Sequence, residues 1–197
     1  MDKYFLSKKI KESISVKKKL INEIKNIDQV VSKITESLNN GGKILFCGNG
    51  GSAADAQHLA TELIVRLRPA VNRNALPAIS LALDTSYLTA CGNDFSFNKI
   101  FSRAIEGLGK KEDILIAIST SGNSKNIINA LKAAKKKNIF SVAFLGNNGG
   151  KCKKFSDIPL VVKSKITAHI QESHIFLGHC ILESVENEIL KKNKRII

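Results

Sequence analysis

Two serine- and glycine-rich turns, each lying between an apolar run and a helical pattern, place the strongest constraint on how this chain can fold. The first turn, GNGGS at residues 48–52, follows the apolar run ILFC at 44–47, and the second, STSGNS at 119–124, follows ILIAI at 114–118. Segments with helical periodicity come directly after both turns. Because continuous apolar strands separated by helices are typical of a parallel sheet covered on both faces, the pattern predicts an α/β fold.

The same alternation continues along the whole chain. It predicts strands at 43–47, 78–81, 114–118, 141–145 and 158–162, and helices at 53–66, 86–91, 98–106, 125–137 and 170–191. The expected fold is a three-layer αβα sandwich with a five-stranded parallel sheet, of the flavodoxin-like type. In such sheets ligands bind beyond the carboxyl ends of the strands, near a change of strand order, and both turns would lie at that end.

The first forty residues differ from this pattern. Residues 3–38 carry apolar side chains at spacings near three and four, and the periodicity stops at NNGG, residues 39–42, so one or two helices are indicated. We interpret residues 1–197 as a single domain, with a helical arm at 1–40 and an αβα core at 41–197. The arm has more apolar surface than such a core needs to cover it, so we expect it to bury against another subunit.

Composition and charge narrow the function classes. The apolar runs have strand length and are flanked by charges, and the N-terminus lacks the apolar region of a signal peptide, so we expect a cytoplasmic protein without a membrane span. Four scattered cysteines form no C-x-x-C pair, which argues against disulfides or a cysteine zinc site. The net charge of +14 raises nucleic acid as a partner, but its lysines lie in helical tracts without interleaved aromatic residues. Solvated helix faces are the favoured interpretation, and no nucleic acid partner is expected.

Both turns have the features of anion sites. Glycines allow close backbone approach, hydroxyls donate hydrogen bonds, and a helix that begins at the turn presents unpaired N–H groups. Neither turn is a dinucleotide fingerprint or a nucleotide P-loop, so the expected ligand is a phosphorylated small molecule. The alternative is that each serine only caps its helix, but four hydroxyls within residues 119–124 exceed what one cap requires.

Two predicted helices carry polar side chains with spacings suited to a shared site. His58 and Glu62 are four residues apart on one helix face, and Gln171 and His179 are eight apart on the last helix. Such a set can bind a divalent metal such as zinc or transfer protons. From spacing alone the signal is weak, because a histidine and a glutamate four residues apart are more often an ordinary surface pair.

Four segments closely resemble the sugar isomerase (SIS) domain family and, within it, the phosphoheptose isomerases. They are CGNGGSAADAQHLATEL at 47–63, CGND at 91–94, STSGNS at 119–124 and IQESHIFLGHCILESVE at 170–186. The serine motif alone indicates only a sugar-phosphate SIS domain. The pairs His58 with Glu62 and Gln171 with His179 narrow the resemblance to the heptose branch.

The resemblance implies an activity and a set of functional residues. It implies an aldose–ketose isomerase that converts D-sedoheptulose 7-phosphate to D-glycero-D-manno-heptose 7-phosphate through an enediolate, the first step of bacterial ADP- or GDP-heptose biosynthesis. It further implies a homotetramer with sites shared between subunits and no nucleotide or redox cofactor. The substrate-binding residues implied are Asn49, Gly50, Gly51, Ser52, Glu62, Asn93, Asp94, Ser119, Thr120, Ser121, Ser124 and Gln171.

The resemblance gives Glu62 and His179 two roles. Both match the proposed acid/base pair of the family, and together with His58 and Gln171 they match a zinc site with one ion per subunit. These roles conflict in part, because a metal-bound imidazole has no free lone pair with which to take a proton. We interpret Glu62 as the base, and His179 as a metal ligand or a proton shuttle.

Two departures and two alternative functions remain open. His169 stands where many relatives have arginine, and Ala168 where some have aspartate, which affects the expected substrate contacts. Some SIS proteins are non-catalytic, namely sugar-phosphate-sensing regulators and a replication-initiator-associating protein, and others isomerise shorter sugar phosphates. Retention of His58, Glu62, Gln171 and His179 favours the heptose isomerase.

Overall fold

The computed structural model describes residues 2–194 and confirms the expected sandwich. Its sheet has five parallel strands in the order β2-β1-β3-β4-β5. The strands are β1 Ile44–Gly48, β2 Ala78–Ser80, β3 Ile114–Ser119, β4 Phe140–Gly146 and β5 Ile158–Val162. Each of them lies within one or two residues of its predicted bounds.

Seven α-helices surround the sheet within the described residues. They are α1 Lys3–Lys18, α2 Ile24–Asn39, α3 Gly51–Ile64, α4 Thr85–Asp94, α5 Ile100–Leu108, α6 Lys125–Lys136 and α7 Thr167–Lys194. Short 3-10 helices occur at Lys19–Glu23, Phe97–Lys99 and Cys152–Lys154. Between residues 2 and 194 no helix is both long and apolar enough to cross a bilayer.

The two faces of the sheet bury separate apolar clusters, because successive strand side chains point to opposite sides. Ile44 and Phe46 of β1 pack with α2, α3 and α7, whereas Leu45 and Cys47 pack with α5 and α6. The helices that carry the predicted acid/base residues, α3 and α7, therefore lie on the same face.

The predicted arm divides into two parts that behave differently. α2 buries Val30, Val31 and Ile34 in the core, whereas α1 has no buried residue. A 3-10 helix at Lys19–Glu23 separates them. Most of the exposed large apolar side chains of the arm therefore lie on α1, with Ile21 and Ile24 exposed near its end.

The strand order brings the two turns together. From β1 the chain crosses to β2 on one side, and β3 then pairs with β1 on the other, so the strand order changes between β1 and β3. Gly48 at the end of β1 is level with Ile118 near the end of β3. Both turns therefore lie at the position where sheets of this kind bind ligands.

Candidate functional site

The first loop, residues 48–52, is tied to the start of α6 by a pair of amide side chains. Asn49 donates from Nδ2 to Asn126 Oδ1 at 2.9 Å, and Asn126 donates from Nδ2 to Asn49 Oδ1 at 2.7 Å. Asn126 is 2% exposed, and its Oδ1 also accepts from the Ile127 backbone N–H. The Asn126 amide thus connects the first loop to the start of α6, directly after the serine loop. The sequence analysis did not identify Asn126 as a functional residue, although an asparagine in the apolar face of a predicted helix was a signal for it.

The other members of the first loop lie at the start of α3. Gly50 is exposed and precedes the helix, Gly51 is its first residue, and Ser52 is 3% exposed in its first turn. A side chain on Gly51 would collide with the Gln171 amide of α7. The first loop therefore also touches the helix that carries His179.

The serine loop, residues 119–124, is preformed by hydrogen bonds within it. Ser119 Oγ lies 3.3 Å from Ser124 Oγ and accepts from the Gly122 N–H, while Ser121 Oγ accepts from the Asn123 N–H. Ser124 is the N-cap residue of α6, yet its side chain makes no capping hydrogen bond. Capping therefore does not account for Ser124, whose half-buried hydroxyl stands at the start of a helix.

A second turn supports the serine loop from behind. The Cys152 N–H donates to the Gly122 carbonyl at 2.8 Å, and the Lys151 N–H donates to Asn123 Oδ1 at 3.1 Å. Gly122 has φ +64° and lies so close to Gly149 that a side chain would strike its carbonyl. Glycine is required at residue 122 both for its conformation and for this contact.

Lysines surround the outer side of the serine loop. Ser121 and Asn123 line an open cleft of about 880 Å³, together with Lys153, Lys163 and Lys165. Thr120 is half-buried at the mouth of the loop. The charge in this cleft attracts anions, so it complements the hydroxyl and N–H donors of the loop.

A histidine cluster, consisting of His58, Glu62 and His179, forms where α3 meets α7. The Nε2 atoms of His58 and His179 are 2.8 Å apart, and Glu62 Oε1 lies 3.2 Å from His58 Nε2. The two rings meet edge to face with centroids 5.1 Å apart. The structure thus brings together three of the four residues that the resemblance associates with zinc.

Gln171, the fourth, lies elsewhere in this protomer. Its amide packs against Gly51, seven residues and about 10 Å of helix rise before His58. Along α7 it precedes His179 by eight residues, about 12 Å of rise. Gln171 is therefore at the first loop and the histidine cluster is farther along α3.

The electrostatics of the histidine cluster favour one neutral imidazole. Burial lowers the pKa of His179 from its usual value, the neighbouring His58 lowers it further, and Glu62 opposes both effects. A neutral His179 can donate a proton from one ring nitrogen and accept one at the other, and its tautomer decides which nitrogen does which. The Glu62 side chain is 17% exposed, so it is largely but not completely shielded from water.

The donor set of the histidine cluster fits a zinc ion. One ligand atom from each of His58, Glu62 and His179 can be chosen so that all lie within 4.8 Å of one another. Two imidazoles and one glutamate are a common ligand set of catalytic zinc, which keeps an open position for water or substrate. Tetrahedral ligands at zinc lie about 3.3 Å apart, so the 2.8 Å histidine pair needs only a small opening.

The other residues singled out in the sequence lie outside the two loops and the histidine cluster. Asn93 and Asp94 are exposed at the end of α4, where Asn93 Nδ2 donates to Asp94 Oδ1 at 2.9 Å. Ala168 is exposed in the first turn of α7. His169 is buried, and its Nε2 lies 3.3 Å from Glu12 of α1. His169 therefore contacts the arm rather than the two loops.

Comparisons with known proteins identify the family of this chain. The model of the SIS domain family matches residues 9–146. A phosphoheptose isomerase from Clostridium acetobutylicum is 46% identical over 190 residues, which are 95% of this chain and 96% of that protein. The chain belongs to the phosphoheptose isomerases.

Solved structures of the phosphoheptose isomerase family share the whole fold. The phosphoheptose isomerase from Neisseria gonorrhoeae superposes with a TM-score of 0.87 at 39% identity, covering 93% of this chain and 98% of that one. The one from Francisella tularensis gives a TM-score of 0.89 at 34% identity, covering 95% and 100%. The family resemblance found in the four sequence segments is thereby confirmed.

Proposed function

We propose that this chain converts D-sedoheptulose 7-phosphate to D-glycero-D-manno-heptose 7-phosphate, an aldose–ketose isomerisation that begins bacterial ADP- or GDP-heptose biosynthesis. The observation that carries the proposal is the convergence of His58, Glu62 and His179, since it supplies an acid/base pair partly on α3, the helix that begins at the first loop. Membership of the phosphoheptose isomerases supports the choice of a heptose substrate.

The substrate phosphate binds in the serine loop. Ser119, Thr120, Ser121 and Ser124 offer hydroxyl donors, and the N-terminus of α6 adds a partial positive charge. The first loop, with Asn49, Gly50, Gly51 and Ser52, lies beside it and takes the sugar chain, and Gln171 borders this loop. In this proposal Asn93 and Asp94 bind sugar hydroxyls, a role for which the support is the family motif.

Proton transfer then occurs at the carbonyl end of the sugar. Glu62 removes a proton from C1, the C1–H electrons form the C1–C2 double bond, and the C2 carbonyl oxygen takes a proton from His179. The resulting enediol loses its O1 proton to His179 while Glu62 returns a proton to C2, which leaves an aldehyde at C1. Each group recovers its starting protonation state. C1 is oxidised from alcohol to aldehyde as C2 is reduced from ketone to alcohol, so no redox partner is needed.

We propose that His58, Glu62 and His179 hold one Zn²⁺; Gln171, the fourth predicted ligand, lies at the first loop of the same chain and does not reach this cluster. When bound, the ion would supply Lewis acidity toward a substrate oxygen in place of proton transfer by His179, because a metal-bound imidazole has no free lone pair with which to take a proton. Zinc bridging α3 and α7 also ties two distant segments, so removal should lower the melting temperature as well as turnover. Metal analysis of protein purified without chelator tests this, followed by turnover and melting before chelation, after it and after zinc return. Full activity in verified metal-free protein would leave Glu62 and His179 as a plain acid/base pair.

A homotetramer with shared sites, located in the cytoplasm, completes the proposal. Its support is the exposed apolar face of α1, which includes Tyr4, Phe5, Leu6, Ile10 and Ile14. Light scattering of the purified protein measures the assembly, and cell fractionation measures the location. A monodisperse monomer would contradict the assembly.

The activity itself is tested by incubation with sedoheptulose 7-phosphate in deuterated water. The expected product is the aldose carrying deuterium at C2, to the extent that the transferred proton exchanges with solvent. Arabinose 5-phosphate and fructose 6-phosphate are the comparison substrates. Preferential turnover of one of these two sugars would show that it, and not the heptose phosphate, is the substrate. Binding without turnover of any of the three sugars would favour a non-catalytic sugar-phosphate sensor.

A further inference from the structure

A buried ion pair lies immediately beyond the histidine cluster. Arg73, in the segment between α3 and β2, has a side chain that is only 4% exposed, and its Nε donates to Glu186 Oε1 of α7 at 2.6 Å. Glu186 is also buried, and its other carboxylate oxygen accepts from Arg68 Nε at 2.6 Å. The proposed reaction makes no use of these three residues.

Arg73 also holds the last turn of α3. Its Nη2 donates to the carbonyl of Glu62 at 2.7 Å, and its Nη1 donates to the carbonyl of Leu63 at 2.8 Å. The last carbonyls of a helix have no partner within the helix, and a cation at that end is favourable. The guanidinium therefore fixes the backbone from which the Glu62 carboxylate extends.

The same guanidinium reaches α7 on the face that carries His179. Glu186 follows His179 by seven residues, which is two turns with an offset of about 20°. Next to His179, Gly178 packs closely against Leu59 of α3. The contact of Arg73 with Glu186 thus continues a line of contacts that holds the two helices together along the histidine cluster.

We propose that Arg73, acting through Glu186, is a positioning residue that sets the Glu62 carboxylate against His179. The inference rests on the proposed isomerase activity. Arg73 contacts the Glu62 main chain, not its carboxylate, so its effect is on the geometry of the base. A misplacement of a catalytic group by about 1 Å can lower the rate about 100-fold, which is the effect expected here.

Arg68→Gln is the matched control for Arg73→Gln. Both variants remove one guanidinium from Glu186, but only Arg73→Gln removes the side-chain donors to the carbonyls of Glu62 and Leu63; the Leu63 carbonyl keeps the Leu76 N–H. We expect Arg73→Gln to lower kcat about 100-fold with little change in KM, and Arg68→Gln to leave both nearly unchanged. Arg73→Lys keeps the charge and some donor capacity, so its kcat should fall between wild type and Arg73→Gln.

The test is steady-state kinetics on sedoheptulose 7-phosphate, normalised to folded protein by circular dichroism and melting. Equal kcat values in Arg73→Gln and Arg68→Gln would overturn the positioning role and leave Arg73 as a stabilising residue. If Arg73→Gln does not fold, Arg73→Lys takes its place, and a wild-type kcat in that variant overturns the inference. Wild type is measured first, because its failure to turn over would refute the proposed function itself.

Discussion

The serine loop takes its shape from residues that follow one another in the chain, whereas the histidine cluster requires residues up to 121 positions apart. Hydrogen bonds among Ser119, Gly122 and Ser124 hold the loop, and the turn after β4 supports it. The histidine cluster depends on how closely α3 approaches α7. In the proposed reaction the loop binds phosphate and the cluster transfers protons, so changes in the two regions should separate affinity from turnover.

The largest effect is expected from Glu62→Gln. The amide keeps the shape of the side chain but cannot act as a base, so kcat should fall about 10²- to 10⁴-fold while substrate affinity stays close to wild type. Steady-state kinetics and calorimetry with sedoheptulose 7-phosphate measure the two quantities. Glu188→Gln, which changes an exposed glutamate of α7, is the control. A wild-type kcat in Glu62→Gln would remove Glu62 from the mechanism.

Gly178→Ala tests whether the approach of α3 to α7 controls turnover. The added methyl would press on Leu59, and overpacking of this kind costs about 1–3 kcal/mol of stability. Because His179 is the next residue, we expect a fall in kcat of roughly 10- to 100-fold with unchanged affinity for inorganic phosphate. Gly107→Ala in α5, where an added methyl meets nothing within 4 Å, is the matched control. Equal kcat values in both variants would show that the cluster tolerates helix displacement.

The variants Ser121→Ala and Ser124→Ala test whether the serine loop controls the affinity for substrate. Each removes a hydroxyl expected to donate to a phosphate oxygen, and such a bond contributes about 1.5–3 kcal/mol, so affinity should weaken about tenfold or more. Since Ser124 makes no side-chain capping bond and its contact with Ser119 Oγ is a long one of 3.3 Å, Ser124→Ala should lower the melting temperature only slightly. Ser184→Ala on α7 serves as the control. Undiminished affinity for substrate in both loop variants would contradict the phosphate cradle.

The smallest effect is expected for His174, a buried residue of α7 that belongs to neither the serine loop nor the histidine cluster. Burial lowers the pKa of His174 to about 4, and the nearby Leu145 carbonyl offsets part of that shift. A histidine in the unfolded chain has a pKa of about 6.5, so below that pH it binds a proton that the buried His174 of the folded chain does not bind. His174 should therefore cost about 1 kcal/mol of stability as pH falls from 7.5 to 6.

Chemical unfolding at the two pH values measures this cost, and His174→Leu should show a correspondingly smaller loss. The same pH dependence in wild type and variant would assign the loss to other groups. Because His174 lies away from the histidine cluster, kcat of the folded variant should not follow the change in stability.

Sequence patterns located the strands well because each strand is a short apolar run between turn residues. Buried polar partners were harder to find. Asn126, Arg73 and Glu186 each bond across elements that are far apart in sequence. Glu186 did leave a signal, since it follows Leu182 and Val185 in the apolar face of α7, but its partner could not be read from spacing.

The position of Gln171 shows the same limit. Helical spacing allowed it to share a face with His179, yet the close contact of its amide with Gly51 places it at the first loop. Spacing along a helix determines the direction in which each side chain points from that helix. Packing against a second helix determines which residues of that helix the side chain contacts, and only the tertiary structure shows this packing.

By itself the sequence determined the α/β class, the positions of the first loop and the serine loop, and the family, because these depend on apolar periodicity and on motifs contiguous in the chain. The tertiary structure decided that α2 belongs to the core, that His58 and Glu62 meet His179, and that Gln171 does not join them in this protomer. Those outcomes depend on side-chain packing between helices, where a glycine or a buried guanidinium sets distances that local sequence does not specify.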